Sequence, residues 1–259
     1  MITLKQSNQI LKIEAGELVG YQVEGHQYIH QKGSPGWRNS DTEMFPIIGP
    51  TADAGFQVQT PRDVAVQDQH GLLRELEYEL IAQTDTTVVY KKTYVARTPV
   101  ENSKYPTKSD KQFLYWTYDF EFEKKFELTP DHLKIAFTIS GDIDTPFMLG
   151  YHPAFSLVTE NPIVIAGEKA IVFSDILAVG SKAYQVSDCE KIILKDKNEL
   201  YIKTMGFGSF MLWAEVDNML CIEPITFYPY AVKPQNLHDG FQYLREKKKV
   251  FTVQISVNN

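Results

Sequence analysis

Apolar and polar residues alternate with a period of two through much of this chain. The clearest case lies between residues 113 and 126, where aromatic side chains share one parity and acidic side chains the other: Tyr118, Phe120 and Phe122 against Asp119, Glu121 and Glu123. The same alternation recurs at 133–139 and at 250–257. A period of two is typical of a strand with one buried face and one solvated face. We therefore predict one long strand over 113–126 and many shorter strands elsewhere.

Turn residues separate these segments along the whole chain. Gly, Pro, Asn and Asp clusters recur between them, as expected for β-hairpins. Almost no segment has a sustained helical period, and the stretch 175–189 is too polar to assign. We see no internal repeat and no linker-like change in composition. The pattern predicts an all-β fold, a large antiparallel β-sandwich in a single domain over residues 1–259.

Charge and cysteine content narrow the class of protein. The formal net charge of -7 argues against a nucleic acid or an anionic membrane as the main partner. No apolar run is long enough to span a bilayer, and the first residues lack the apolar core of a signal peptide. The two cysteines, Cys189 and Cys221, show neither a disulfide framework nor a metal-ligand spacing. We expect a reduced, cytoplasmic protein.

Several catalytic motifs are missing from the sequence. There is no phosphate-binding G-x-x-x-x-G-K-[ST] run, no G-x-G-x-x-G, no H-E-x-x-H and no G-x-S-x-G. These absences argue against a nucleotide-binding loop, a zincin metalloprotease and a nucleophile elbow. Four of the six histidines lie in turn-like or polar surroundings and are expected to be solvated: His26, His30, His132 and His238.

The other two histidines are candidates for chemistry. His152 follows a short apolar run and precedes Pro153, which restricts the backbone and so lowers the entropy lost in aiming the imidazole. His70 precedes Gly71, and we predict a strand over 72–80 directly after it. Each has a simpler interpretation, since His152 could belong to a buried aromatic cluster and His70 could be a loop residue bonded to backbone.

Glu223 is the third candidate. It is embedded in an apolar strand end, the stretch 220–227, where desolvation would raise its pKa toward that of a useful general base unless a partner offsets the shift. A buried, ion-paired structural glutamate is the alternative.

Taken together, the segments 69–74, 150–155 and 221–224 follow one another in an order that resembles the aldose 1-epimerase (galactose mutarotase-like) family. Within it the chain resembles the LacX-like bacterial branch, to which Trp37-Arg38 and the run 44–49 also correspond. The resemblance implies a β-supersandwich with an open sugar cleft and no metal or organic cofactor. It also implies that His70 positions the sugar, that His152 protonates the ring oxygen and that Glu223 takes the proton of the anomeric hydroxyl.

The sequence departs from that branch at three points. Pro50 stands where the branch usually has a substrate-contacting arginine, and Arg38, Arg62 and Arg74 are the candidates to replace it. Asp175 matches the substrate-binding aspartate of the family by position alone. Ile225 stands where a tryptophan is frequent, so that the aromatic platform for a sugar would come from elsewhere: Trp37, Trp213, Phe227 or Tyr228.

Three functions follow from these observations. The leading one is interconversion of the α and β anomers of a free aldose. A variant acts on a hexose 6-phosphate, which guanidinium groups would bind in bidentate fashion. The third is carbohydrate binding without catalysis on the same fold. The partner is a small sugar in each case, and the chain is expected to be a monomer or a homodimer.

Overall fold

The computed structural model describes residues 1–258 and consists mainly of strands. In chain order they are β1 (Ile2–Gln6), β2 (Gln9–Glu14), β3 (Glu17–Val23), β4 (His26–Gln27), β5 (Glu43–Met44), β6 (Gln57–Gln59), β7 (Val64–Val66), β8 (Glu79–Gln83), β9 (Thr87–Tyr94), β10 (Val100–Glu101), β11 (Phe113–Leu114), β12 (Phe120–Leu128), β13 (Leu133–Ser140), β14 (Pro146–Phe147), β15 (Gly150–Tyr151), β16 (Ala154–Ser156), β17 (Ile163–Ala166), β18 (Lys169–Val172), β19 (Tyr184–Val186), β20 (Lys191–Lys195), β21 (Glu199–Met205), β22 (Ser209–Trp213), β23 (Met219–Ile225), β24 (Gln242–Tyr243) and β25 (Lys248–Asn258).

Helices contribute little to the described part of the chain. It contains an α-helix, α1 (Phe173–Val179), and short 3-10 helices at Ala52–Ala54, Leu72–Glu75, Gly180–Lys182, Pro229–Ala231 and Pro234–Gly240. None of the helices within residues 1–258 has the length and apolar character needed to cross a lipid bilayer.

Two large antiparallel sheets organise the molecule. The first has nine strands in the order β18-β17-β20-β21-β25-β13-β12-β9-β8. The second has the order β19-β22-β23-β15-β5, with β16 also paired to β23. A four-stranded sheet, β1 to β4, comes from the start of the chain. The predicted all-β, antiparallel architecture is confirmed.

The alternation in the sequence builds the interface between the two large sheets. Along β12 every second residue is buried, and the same holds for β13. The buried aromatic side chains of this face reach the second sheet, as Phe137 does with its ring centroid 5.0 Å from that of Tyr151. Phe122 contacts Phe45, just after β5, with 5.4 Å between the ring centroids. The core therefore lies between the sheets.

The predicted long strand over 113–126 is wrong in its first half. The strand β12 begins only at Phe120, and β11 is a separate short strand. Between them Trp116, Thr117 and Tyr118 are all buried, which a half-buried strand does not allow. The Trp116 amide donates to a side chain, the Tyr94 hydroxyl, at 2.9 Å instead of to the backbone of a neighbouring strand.

The predicted strand over 72–80 is also wrong. Leu72–Glu75 forms a 3-10 helix, and β8 begins at Glu79. Leu72 and Leu73 are both buried, and the amide of Leu73 donates to the carbonyl oxygen of Phe45 at 3.0 Å. Two consecutive buried leucines suit a tight helical turn against the core better than an alternating strand.

A buried ion triad joins the two large sheets. Lys124 Nζ of β12 lies 2.7 Å from Asp41 Oδ2 and 2.6 Å from Glu43 Oε1, and each of the three side chains is at most 4% exposed. The Tyr151 hydroxyl donates to Asp41 Oδ2 at 2.8 Å. Burial opposes the charge on Lys124, but the two carboxylates outweigh it and raise the pKa of the lysine. Neither carboxylate could remain in this position unpaired.

We therefore expect Lys124→Met to lower the free energy of unfolding by about 3–5 kcal/mol, since it leaves two buried carboxylates without a cation. The matched control is Lys125→Met on the same strand, because the Lys125 side chain is 42% exposed and pairs with Glu127 at the surface. The control should change stability by less than about 1 kcal/mol. Urea unfolding of both variants checks this, and equal effects would contradict the structural role of the triad.

Candidate active site

Strand pairing in the second sheet brings His152 opposite Glu223. Gly150 pairs with Ile225, and Ala154 pairs with Cys221, on the central strand β23. The residue midway between Gly150 and Ala154 therefore faces the residue midway between Ile225 and Cys221. His152 Nε2 lies 3.4 Å from Glu223 Oε1.

The neighbouring strand adds Met211 and Trp213 to the same face. Met211 pairs with Glu223, and Trp213 pairs with Cys221. Side chains two residues apart on a strand point to one side of the sheet, so Met211, Trp213 and Glu223 share the face that lines the cavity.

Aromatic rings surround the imidazole of His152. The centroid of the Trp37 ring lies 4.4 Å away, that of His70 5.9 Å away and that of Trp213 6.0 Å away. Trp37 is held by His30, whose Nε2 hydrogen bonds with the carbonyl oxygen of Trp37 at 2.9 Å. His30 is 1% exposed, so the prediction that it is solvated is wrong. It instead holds the backbone of Trp37 beside the site.

His70 is placed by an unusual turn. His70 and Gly71 both have positive φ, 73° and 77°. A Cβ atom at Gly71 would lie 2.2 Å from the carbonyl oxygen of Phe45, so only glycine fits there. The amide of Phe45 donates to the carbonyl oxygen of His70 at 3.1 Å, which ties this turn to the segment after β5.

Among the arginines proposed to replace the one lost at Pro50, Arg74 is the one that reaches the site. It extends from the 3-10 helix Leu72–Glu75 and lines the same cavity as Glu223. Its Nε is buried and has no hydrogen-bond partner within residues 1–258. Arg38 is exposed and does not line the cavity, and Arg62 lies over the ring of Tyr118 at 4.1 Å.

The cavity in front of these residues has a volume of about 380 Å³. Of the predicted site residues it is lined by Trp37, His70, Arg74, His152, Trp213 and Glu223. Its size is within the range of small-molecule sites. Asp175, in contrast, is exposed on α1 and is not part of the lining, so the structure does not bring it to the cavity.

Sequence reasoning missed two lysines at the cavity. Lys104 and Lys108 belong to the stretch 97–111, which reads as a polar loop but folds over the cavity. Lys104 Nζ lies 2.6 Å from Asp68 Oδ1, which anchors the loop. Gln69, Ser181 and Tyr230 also line the cavity. In the sequence these two lysines stand out by their four-residue spacing alone, and that spacing does not indicate which part of the molecule the loop covers.

Burial drives both members of the central pair toward their neutral forms. It lowers the pKa of His152 to about 3, and the Arg74 guanidinium adds to this effect. Burial raises the pKa of Glu223 well above its ordinary value, although Arg74 opposes that shift. The pKa of His70 is lowered well below its ordinary value, first by burial and then by Arg74 and His152. Within the pair, burial thus favours the proton on the carboxyl group of Glu223 over the imidazole of His152.

A larger cavity of about 620 Å³ adjoins this one at Arg74. Apart from Arg74, which lines both cavities, its buried charged side chains already have partners within the protein. Asp41 and Glu43 contact Lys124, and Lys92 Nζ donates to the carbonyl oxygen of Leu73 at 2.8 Å. We assign the candidate active site to the smaller cavity, which is lined by both His152 and Glu223.

The family model for aldose 1-epimerase matches residues 16–200 of this chain. The chain belongs to the aldose 1-epimerase family. The matched segment includes His70 and His152 and ends before Glu223. Membership implies a mutarotase-type activity on a sugar, whereas the LacX-like branch stays a prediction. No curated protein sequence matches the chain.

Solved structures confirm the galactose mutarotase-like fold. A galactose mutarotase related enzyme from Lactobacillus acidophilus is 16% identical, with a TM-score of 0.76 over 100% of this chain and 97% of that one. A galactose mutarotase-like protein from Lactobacillus casei is 15% identical, with a TM-score of 0.77 and 100% of both chains covered. The GalM/aldose epimerase homologue from C. elegans is 11% identical, with a TM-score of 0.69 over 100% and 98%. At these identities the likeness concerns the fold.

The positions of Arg74 and Asp175 give a binding prediction. Arg74→Met should raise the dissociation constant for an aldose at least about tenfold, because a hydrogen bond to a charged group contributes about 1.5–3 kcal/mol. Asp175→Asn and Arg38→Met should leave it unchanged, since neither residue lines the cavity. Tryptophan fluorescence titration measures these constants through Trp37 and Trp213. Weaker aldose binding by Asp175→Asn would contradict this prediction and indicate that Asp175 contacts the sugar.

Proposed function

We propose that this protein is an aldose 1-epimerase that interconverts the α and β anomers of a sugar by opening and reclosing its ring. The observation that carries the proposal is the 3.4 Å separation of His152 Nε2 and Glu223 Oε1 at the floor of an open cavity beside His70. An imidazole and a carboxyl group at this spacing can exchange protons with two oxygen atoms that are bonded to the same carbon.

Ring opening requires two proton transfers. The Glu223 carboxylate takes the proton of the anomeric hydroxyl, while the His152 imidazolium donates a proton to the ring oxygen as its bond to C1 breaks. Rotation about the C1–C2 bond then exposes the other face of the aldehyde. Reclosure reverses the roles, since the carboxylic acid protonates the carbonyl oxygen and the neutral imidazole accepts the proton of the attacking hydroxyl.

The proton inventory of the pair fits this cycle. One proton shared by His152 and Glu223 is the number that both directions need. With the proton on Glu223, the form that burial favours, the pair is ready to close an open-chain sugar. With the proton on His152, it is ready to open a ring. Arg74 stabilises the Glu223 anion of this second form, but it also opposes the positive charge on the His152 imidazolium.

The remaining cavity residues hold the sugar. His70 and Arg74 offer polar groups to hydroxyl oxygens, and the faces of Trp37 and Trp213 offer apolar surface to the C–H bonds of the ring. The reaction is an isomerisation without net oxidation or energy input, so these side chains suffice and the proposed mechanism uses no cofactor.

We expect Glu223→Gln and His152→Ala each to lower the mutarotation rate by about 100-fold or more, as for the loss of a positioned acid or base. Polarimetry of freshly dissolved α-aldoses, or NMR exchange between anomers, measures the rate. His132→Ala is the matched control, because His132 lies in the turn between β12 and β13 and contacts Thr129 and Asp131. Wild-type protein that binds sugar without accelerating the reaction would instead favour a carbohydrate-binding protein.

A phosphorylated aldose is the second candidate substrate. Lys104, Lys108 and Arg74 all line the cavity, and three cations at one opening favour an anionic sugar. Lys104 shares its charge with Asp68, so Lys108 is the cation best placed to recognise a 6-phosphate.

For this candidate, Lys108→Met should raise the KM for a hexose 6-phosphate by about tenfold while leaving the KM for the free hexose unchanged, as for the loss of one charge-assisted hydrogen bond. Lys111→Met serves as the control, because Lys111 does not line the cavity and pairs with Asp110 at the surface. Equal effects of Lys108→Met on both sugars would rule out a phosphate contact.

A further inference from the structure

Cys221 lies beside the proton-sharing pair, although its position in the sequence gives no metal-ligand spacing. It precedes Glu223 by two residues on β23, so both side chains point to the same face of the sheet. The residue paired with it across the sheet is Ala154, whose small side chain leaves the thiol close to His152. Cys221 is fully buried, and the rings of Trp37 and Trp213 pack against the cluster that contains it.

The ligand atoms of these three residues form a compact group. A ring nitrogen of His152, the Sγ of Cys221 and a carboxylate oxygen of Glu223 all lie within 4.8 Å of one another. A tetrahedral ion with metal–nitrogen and metal–oxygen bonds of about 2.0–2.2 Å and a metal–sulfur bond of about 2.3 Å requires ligand–ligand separations of roughly 3.3–3.7 Å. The 3.4 Å between His152 and Glu223 already has that length. A rotation of the Cys221 side chain that moves Sγ by about 1 Å brings all three ligand atoms to tetrahedral separations.

The fourth direction is open. His152 and Glu223 line the sugar cavity, so a water molecule or a sugar oxygen could complete the coordination from that side. Three protein ligands with one open position are the arrangement found in catalytic zinc sites, whereas structural zinc sites use four. Thiolate, imidazole and carboxylate together suit a borderline-soft ion and do not suit Mg²⁺ or Ca²⁺, which prefer oxygen ligands.

We propose that His152, Cys221 and Glu223 form a three-ligand site for a divalent transition-metal ion such as Zn²⁺ or Co²⁺. Binding replaces the thiol proton of Cys221 and the proton shared by His152 and Glu223, and both protons go to solvent. His152 Nδ1 is buried without a hydrogen-bond partner in residues 1–258. Because metal-binding histidines are usually oriented by such a partner, and its loss costs about 10–100-fold in affinity, the site binds weakly for its ligand set.

One consequence rests on the proposed function. The imidazole nitrogen and the carboxylate that bind the metal are the groups that transfer protons in mutarotation. Metal binding and sugar turnover are therefore mutually exclusive, and Zn²⁺ is an inhibitor of the enzyme that a chelator removes. The binding site itself does not depend on the enzyme being active.

The test is a titration of the reduced, metal-free protein with Co²⁺, followed by absorption spectroscopy. A thiolate-to-cobalt charge-transfer band in the near ultraviolet is expected, together with the intense visible bands of tetrahedral Co²⁺. Cys221→Ser should abolish the charge-transfer band and weaken binding by about 100-fold or more, since losing a direct ligand costs at least as much as losing an outer partner. Cys189→Ser, at the half-buried second cysteine, should keep the band. Circular dichroism verifies that each variant is folded, and Cys221→Ala provides a second replacement that is apolar.

The outcomes separate the two proposals. A band that survives in Cys221→Ser, or no band in wild-type protein, overturns the metal site whatever the activity. A Cys221-dependent band in a protein without mutarotase activity leaves the metal site standing and overturns the proposed function. Where activity is present, Zn²⁺ should inhibit wild type, and Cys221→Ser should raise the inhibition constant by about 100-fold, while Mg²⁺ at the same concentration has no effect.

Discussion

The ammonium group of Lys124 is the constraint on which the rest of this structure depends. It holds Asp41 and Glu43 between the two large sheets, where neither carboxylate could remain without a cation. Between those two residues lies Thr42, whose backbone pairs with His152 in both directions, at 2.8 and 3.2 Å. The same three-residue segment, 41–43, therefore holds both the ion triad and the backbone of His152 in place. A shift of the segment that carries the carboxylates would break the ion pairs and move the imidazole together.

That rigidity has a chemical consequence at the candidate site. His152 and Glu223 are 7% and 2% exposed, so water contributes little to the stability of their charged forms. Each pKa moves toward the neutral form, so that the proton is favoured on the carboxyl group of Glu223 over the imidazole of His152. Arg74 is the nearby cation, and it lowers the pKa of both groups. Because the mutarotation that we propose runs in both directions, the pair must also reach its charged form, in which Glu223 accepts a proton and His152 donates one.

Much of the candidate site could be predicted because its residues occur in local patterns. Gly71 permits the turn at His70, Pro153 restricts the backbone at His152, and the apolar stretch around Glu223 indicates a buried carboxyl group. Residues without such a pattern were missed or misplaced. Lys108 lies in a polar loop that reads as solvated, and Asp175 was chosen by position alone and is exposed on α1.

The sequence by itself determined the long strands β13 and β25, the second half of the predicted strand over 113–126 and the buried side of each, because side-chain alternation is a local property of the backbone. It could not determine which strands pair or in what register, since pairing depends on contacts between residues far apart in the chain. Only the tertiary structure brought His152 opposite Glu223 and selected Arg74 from three arginines. It also placed Cys221 beside His152, a proximity that arises from the pairing of β16 with β23 and cannot be seen in the spacing of these two residues.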